Sequence, residues 1–193
     1  MSNIDYLRNL YVDALNNHCI DIAFHMPYLL DIAQLCRHVT EFGVRYGCST
    51  LALLLGVIEN NGRLMSYDIN PTGIEAELSK LFPDNFSFIQ ADTSLVVIEN
   101  TDMLFIDTYH TYGQLMKELT NNHEKVASFI VLHDTELFGH VGEDGGPGLK
   151  KAVLDFIDEN SAWRIFDIRT NCNGLITLVK EPRHESSSSL SYV

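Results

Sequence analysis

Apolar and polar positions change period several times along this chain, and each change marks an element. Ile4, Leu7, Tyr11 and Ala14 recur at helical spacing, and Tyr28 to Cys36 gives a second amphipathic stretch behind Pro27. Two helices, expected across a sheet edge, therefore precede the first strand. From Val39 onward short apolar runs alternate with helical patterns: strand 39–42, helix 49–59, strand 63–68, helix 73–82, strand 86–90, strand 102–107, helix 111–125 and strand 128–133. That alternation builds a mostly parallel sheet with helices on both faces. Leu149, Ala152, Val153, Phe156 and Ile157 mark one more helix, entered from the glycine-rich stretch Gly142 to Gly148. Two last strands, 163–168 and 175–179, flank Asn171-Cys172-Asn173-Gly174, which is a hairpin signal. The expected architecture is α/β: a doubly wound, mostly parallel seven-stranded sheet with a C-terminal antiparallel hairpin. Residues 1–36 are expected as helices packing on the sheet and 37–181 as the main domain, with 182–193, which carries four consecutive serines, as a disordered tail.

The run Val39-Thr40-Glu41-Phe42-Gly43-Val44-Arg45-Tyr46-Gly47-Cys48-Ser49-Thr50 takes an apolar strand through a glycine turn straight into a helix. Glycines at 43 and 47 allow conformations closed to other residues and a close ligand approach, and the free amides of the next helix face that ligand. Asp68 ends the following apolar run, where nucleotide-binding folds place a carboxylate for ribose hydroxyls. A ribose-bearing cofactor fits both features, and so does an ordinary strand-to-helix turn with Glu41 as a turn acid. The third glycine of the dinucleotide fingerprint is missing, which counts against a pyrophosphate.

Two more apolar runs end in chemistry, one at Asp107-Thr108-Tyr109-His110 and the other at His133-Asp134-Thr135. Carboxyl ends of neighbouring parallel strands converge on one crevice, so Asp107 and Asp134 are expected to meet there. Paired buried carboxylates need a compensating cation, and hard oxygen ligands suit magnesium, calcium or manganese. Asp is equally a favoured N-cap, and the two histidines taken singly fit a packed or solvated imidazole.

Composition narrows the partners. A net charge of -13 speaks against gripping phosphate backbones, so a small-molecule substrate is expected and no nucleic acid. The amino terminus has no signal-like run and no segment is long enough to span a bilayer, so no membrane association and a cytoplasmic location are expected. Cys19, Cys36, Cys48 and Cys172 form no Cys-x-x-Cys pair and are expected to be reduced.

The segment Glu41-Phe42-Gly43 to Gly47-Cys48-Ser49, with Asp68-Ile69-Asn70-Pro71, resembles motif I of class I S-adenosylmethionine-dependent methyltransferases, especially metal-dependent O-methyltransferases such as the catechol enzymes. Phe-Ile-Asp-Thr-x-His-Thr-Tyr and Leu-His-Asp-Thr look like the macrocin O-methyltransferase and "cephalosporin hydroxylase" groups. The resemblance covers about residues 37–180 and implies a Rossmann-like fold. It implies Glu41, Gly43, Gly47, Ser49, Asp68 and Asp92 at the cofactor, with Asp92 near the adenine. Asp107, Asp134 and His133 would serve a divalent metal, magnesium first, with manganese or calcium as alternatives. His133 stands where Glu occurs in one pattern and Thr135 where Asn occurs in the other, which leaves the third protein ligand open. His110 sits where these families place a base, so Asp107 and His110 are the expected catalytic pair. The implied reaction is methyl transfer to a hydroxyl of a small molecule or sugar. An NAD-dependent oxidoreductase and a cofactor-binding or assembly module without turnover stand as alternatives. Tyr109, Tyr112 and Phe138 are candidate walls for the substrate. Phe138 to Gly148 reads either as a lid or as a long surface loop, and the N-terminal helices offer a surface for a homodimer.

Overall fold

A computed structural model describes residues 2–17 and 21–181; the expected tail, 182–193, lies outside them. The strands are β1 His38–Phe42, β2 Arg63–Asp68, β3 Phe86–Gln90, β4 Thr101–Ile106, β5 Val126–His133, β6 Trp163–Arg169 and β7 Leu175–Lys180. The helices are α1 Asn3–Asn17, α2 Met26–Ala33, α3 Cys48–Ile58, α4 Ile74–Leu81, α5 Tyr112–Asn122 and α6 Leu149–Glu159. One seven-stranded sheet runs β3-β2-β1-β4-β5-β7-β6. Strands β1 to β5 are parallel, and β7 enters antiparallel beside β5 with β6 outside it. This is the doubly wound sheet expected from the alternation and the Rossmann-like fold implied by the resemblance.

Side-chain parity divides the central strands between two cores. Met103 and Phe105 of β4 enter a cluster with Leu7, Leu29, Leu53 and Leu78, whereas Leu104 and Ile106 enter the opposite one with Leu115, Leu119, Val153 and Phe156. Helices α1 to α4 therefore cover one face, and α5 and α6 the other. A one-residue slip of β4 would exchange the two sets and turn Asp107 to the wrong side.

Helices α1 and α2 do not cross a sheet edge. Both pack on α3, whose own apolar residues run all round it and need a second cover. The α1 side chains reach α4 through Asn3 Nδ2 to Leu81 O at 2.8 Å and Tyr6 Oη to Glu77 Oε1 at 2.7 Å. On α2, Tyr28 meets Thr177 of β7 at 3.0 Å and carries the Arg169 guanidinium over its ring at 3.7 Å. The helix expected over 111–125 ends at Asn122 and finishes as a tighter 3-10 turn. Asn122 ties its side chain to Ile98 N and Val96 O, stitching the α5 end to the loop before β4. Among the described residues, no helix is long and apolar enough to cross a membrane.

Cys48, the first residue of α3, is disulfide-bonded, so the expectation of four reduced cysteines fails there. Sequence spacing cannot disclose a pairing made in three dimensions. Cys36 keeps a free, buried thiol, which burial pushes up to about 12, the wrong direction for a nucleophile.

Candidate active site

The glycine turn is anchored by two acids. Glu41, on β1, has no solvent exposure; its Oε1 accepts from Ser49 Oγ at 2.6 Å, and its Oε2 from Thr50 Oγ1 at 2.8 Å and Ser66 Oγ at 2.6 Å. It therefore staples β1, β2 and the first turn of α3 together beneath the loop, and it is not among the residues lining the cleft described below. Ser49 spends its hydroxyl on this staple. Asp68 works from the side, where its Oδ2 accepts from the amides of Val44 at 2.7 Å and Arg45 at 3.1 Å. Gly43 and Gly47 have φ of 89° and 80°, the left-handed region that favours glycine. A Cβ on Gly43 would lie 1.8 Å from the carbonyl oxygen of Asp107, so β1 and β4 can close here only without a side chain.

Burial pushes Glu41 up to about 7, further than the hydroxyl bonds of Ser49, Ser66 and Thr50 pull it down. The folded protein thus binds this proton more tightly than the unfolded chain, whose reference value is 4.5. The contribution is fully present below the unfolded value and is lost as pH rises through the folded one. At about 1.4 kcal/mol per unit, the loss amounts to roughly 3 kcal/mol. Urea melts of wild type and Glu41→Gln at about pH 5 and about pH 7.5 should show this decline in wild type only. Equal declines in both proteins would contradict the assignment.

A cleft of about 370 Å³ opens at the carboxyl ends of the strands, lined by Gly43, Asp68, Ile69, Asp92, Asp107 and Tyr109 among others. Its size is that of a small-molecule site, roughly 300–1,000 Å³. Asp92 accepts from Ser94 N at 2.9 Å, which fixes it at the rim. Gly47 packs against Ile74 behind the loop and does not line this cleft. A buried acid missed in the sequence, Glu118 of α5, lies beneath it. Glu118 accepts from the hydroxyls of Thr93 and Thr108 and from Gln114 Nε2 at 2.8 Å, so it holds three residues of the cleft wall. Its only sequence signal is a charge at a core-facing position of an amphipathic helix.

Beside the cleft the strand ends converge. Ile106 pairs with Leu132, so the next residues, Asp107 and His133, are neighbours on one face. Asp134 would alternate to the other face, but its φ of +57° turns the chain and brings it back. His110 Nε2 lies 3.1 Å from Asp107 Oδ1 and 2.9 Å from Asp134 Oδ2. His133 Nδ1 lies 3.3 Å from Asp107 Oδ2 and 3.5 Å from Asp134 Oδ1, without a hydrogen bond among the described residues. Carbonyls of Asp21 and Cys172 face His133 Nε2 at 3.1 and 3.0 Å, which fixes the proton on that nitrogen and leaves Nδ1 toward the acids. Asp107, His110 and Asp134 offer ligand atoms within 4.8 Å of one another.

The charge states differ from a near-neutral base. Burial pushes His110 down, but Asp107 and Asp134 more than reverse this and bring it up to about 10. His133 moves upward for the same reason, and Asp107 is held well below the usual carboxylate range by the two imidazoles against the effect of its burial. Without another cation, the histidines compensate the acids. Of the expected walls, Tyr109 lines the cleft, Phe138 stacks on His110 at 4.8 Å, and Tyr112 turns away to bond Asp155 at 2.8 Å.

Residues 40–135 match a family model described as "Methyltransferase domain". No curated protein matches the sequence. Among solved structures, the chain is similar to the O-methyltransferase TomG from Streptomyces achromogenes, involved in tomaymycin synthesis and in complex with S-adenosylmethionine, at 15% identity and TM-score 0.65, covering 94% of this chain and 91% of that one. It is similar to an O-methyltransferase from Bacillus cereus in complex with S-adenosylhomocysteine, at 14% identity and TM-score 0.60, covering 93% and 90%. A 1,6-didemethyltoxoflavin N1-methyltransferase from Burkholderia thailandensis shares 12% identity and a TM-score of 0.61, covering 93% and 87%. Residues 40–135 thus match a methyltransferase domain, set in a fold that these methyltransferases share.

Proposed function

We propose that this chain is an S-adenosylmethionine-dependent enzyme that transfers the methyl group to a hydroxyl oxygen of a small molecule or sugar, with Asp107 and Asp134 holding a divalent metal. One observation carries the reading: Asp107, His110 and Asp134 converge beside the cleft, and Asp134 Oδ1 and His133 Nδ1 are buried there with no hydrogen-bond partner among the described residues. A buried carboxylate oxygen and imidazole nitrogen that leave each other unbonded are costly and suit a cation. The donor set is mixed, with carboxylate oxygens and an imidazole nitrogen, which fits magnesium or manganese. His133 has the arrangement of a metal-bound histidine, its far nitrogen given to backbone carbonyls. A hard divalent ion there would orient and acidify a hydroxyl.

The chain's own residues do the rest. Asp68 and Asp92 offer carboxylates to the ribose and adenine side of the donor, while the anchored glycine loop admits it closely. With Asp107 and Asp134 compensated by a cation, His110 would no longer be held protonated, and Nε2 is placed to take the hydroxyl proton. Rate enhancement then rests on holding nucleophile and methyl group in line.

Parallel calorimetric titrations with S-adenosylhomocysteine and NAD test the cofactor half. The homologous product should bind and NAD should not, and Asp68→Ala should weaken binding more than about tenfold by freeing the loop amides. Screening hydroxylated acceptors for S-adenosylhomocysteine formation, with and without a chelator, tests the metal half. Turnover indifferent to chelation would remove the metal from the reading.

A further inference from the structure

The loop after β5 carries a residue whose placement the methyl-transfer reading above does not use. Glu143 bonds His110 Nδ1 directly through Oε1. The same two residues are joined along the backbone: Glu143 N donates to His110 O at 3.0 Å, and His110 N approaches Glu143 Oε1 at 3.4 Å. Phe138, at the start of the loop, lies flat on the imidazole with an interplanar angle of 5°. The loop is itself closed, with Val141 bridged to Pro147, Gly142 N bonded to Gly146 O at 3.0 Å and Gly148 N to His140 O at 3.0 Å. Its base can close because residue 148 is glycine, where a Cβ would come within 2.3 Å of Phe138 O.

An ordinary surface ion pair joins two exposed side chains through one contact and is worth little. Here the His110 side chain is 17% exposed and is gripped at both nitrogens and on one face. Imidazole has two chemically distinct nitrogens, and a carboxylate on one decides which way the other points. We propose that Glu143 is a positioning residue: it holds His110 by Nδ1 so that Nε2 stays turned toward Asp107 and Asp134, where the acceptor hydroxyl must lie. Glu143 touches no reacting atom in this scheme. It acts through His110, and the loop from Phe138 to Gly148 is the frame that delivers it.

The proposal rests on the methyl-transfer reading, and two measurements on the full chain separate their fates. Long-range proton–nitrogen spectra of isotope-labelled histidine should show the His110 Nδ1 resonance shifted in Glu143→Gln while that of His133 stays in place. Steady-state kinetics with the acceptor found by the screen should show kcat lowered about 10- to 100-fold in Glu143→Gln, KM for S-adenosylmethionine unchanged, and partial recovery in Glu143→Asp. Unmoved His110 resonances overturn the proposal. So do parallel losses in kcat, KM and melting temperature, which mark a merely structural loop contact. A wild type that forms no S-adenosylhomocysteine with any acceptor refutes the reading of the site, while the spectra still decide whether Glu143 holds the ring.

Discussion

Gly43→Ala should cost about 3 kcal/mol or more of folding stability and most of the affinity for S-adenosylhomocysteine. The added Cβ would sit 1.8 Å from Asp107 O and 2.7 Å from the carbon bearing it, on a backbone whose φ is 89°. Neither group can yield cheaply, because the Asp107 amide donates to Phe42 O at 2.8 Å and locks β4 to β1 at that level. Relief requires the two strand ends to part, which moves the floor of the cleft and Asp107 together. Gly73→Ala is the matched control. It has a φ of 103° and open space around its Cβ position, so it isolates backbone strain from collision. Thermal melts should show Gly43→Ala lowered by roughly 6–12 °C, with a clearly smaller shift for Gly73→Ala. Equal shifts would mean that the contact between residues 43 and 107 is not what constrains the turn.

The second large effect is expected at Asp134. Asparagine tolerates the left-handed region nearly as well as aspartate, so Asp134→Asn keeps the turn that brings residue 134 back to the site. It removes one of the two charges facing His110 Nε2, at 2.9 Å, and half of the acid pair. Turnover should fall by roughly 10²- to 10⁴-fold and any stimulation by added magnesium or manganese should disappear. Binding of S-adenosylhomocysteine should stay close to wild type, since Asp134 does not line the cleft that Asp68 and Asp92 share. Calorimetry for the product and a rate assay for transfer separate the two. An Asp134→Asn enzyme with full turnover would end the assignment of this acid to catalysis.

Much of this architecture is legible in the sequence because it is written in short-range period. Strands β4 and β5 carry the apolar runs Met103 to Ile106 and Phe129 to Leu132, and the two terminal strands announce their hairpin through Asn171 to Gly174. Strand direction places Asp107 and Asp134 at the same end of the sheet, and the left-handed turn at Asp134, which no spacing reveals, makes them face each other. What stayed hidden depends on contacts between distant segments. Glu41 points inward because Ser49, Thr50 and Ser66 supply three hydroxyls, a match that no single spacing reveals. Glu143 is 33 residues from His110, inside a stretch whose glycines say only that the chain turns. The charge on His110 is likewise a property of the assembled cluster; an isolated histidine would titrate near neutrality. The cover over α3 is not legible because an amphipathic helix shows which face it buries but not which partner receives it.

The inserted position of β7 has a consequence for biosynthesis. The strand enters between β5 and β6, and one of the carbonyls that orients His133 belongs to Cys172 in the turn just ahead of it. A ribosome releases the chain from the amino end, so the acids at 107 and 134 emerge well before their imidazole neighbour is fixed. The imidazole of His133 is thus fully held only when the last strand has threaded between β5 and β6, and products of interrupted translation lack an ordered centre.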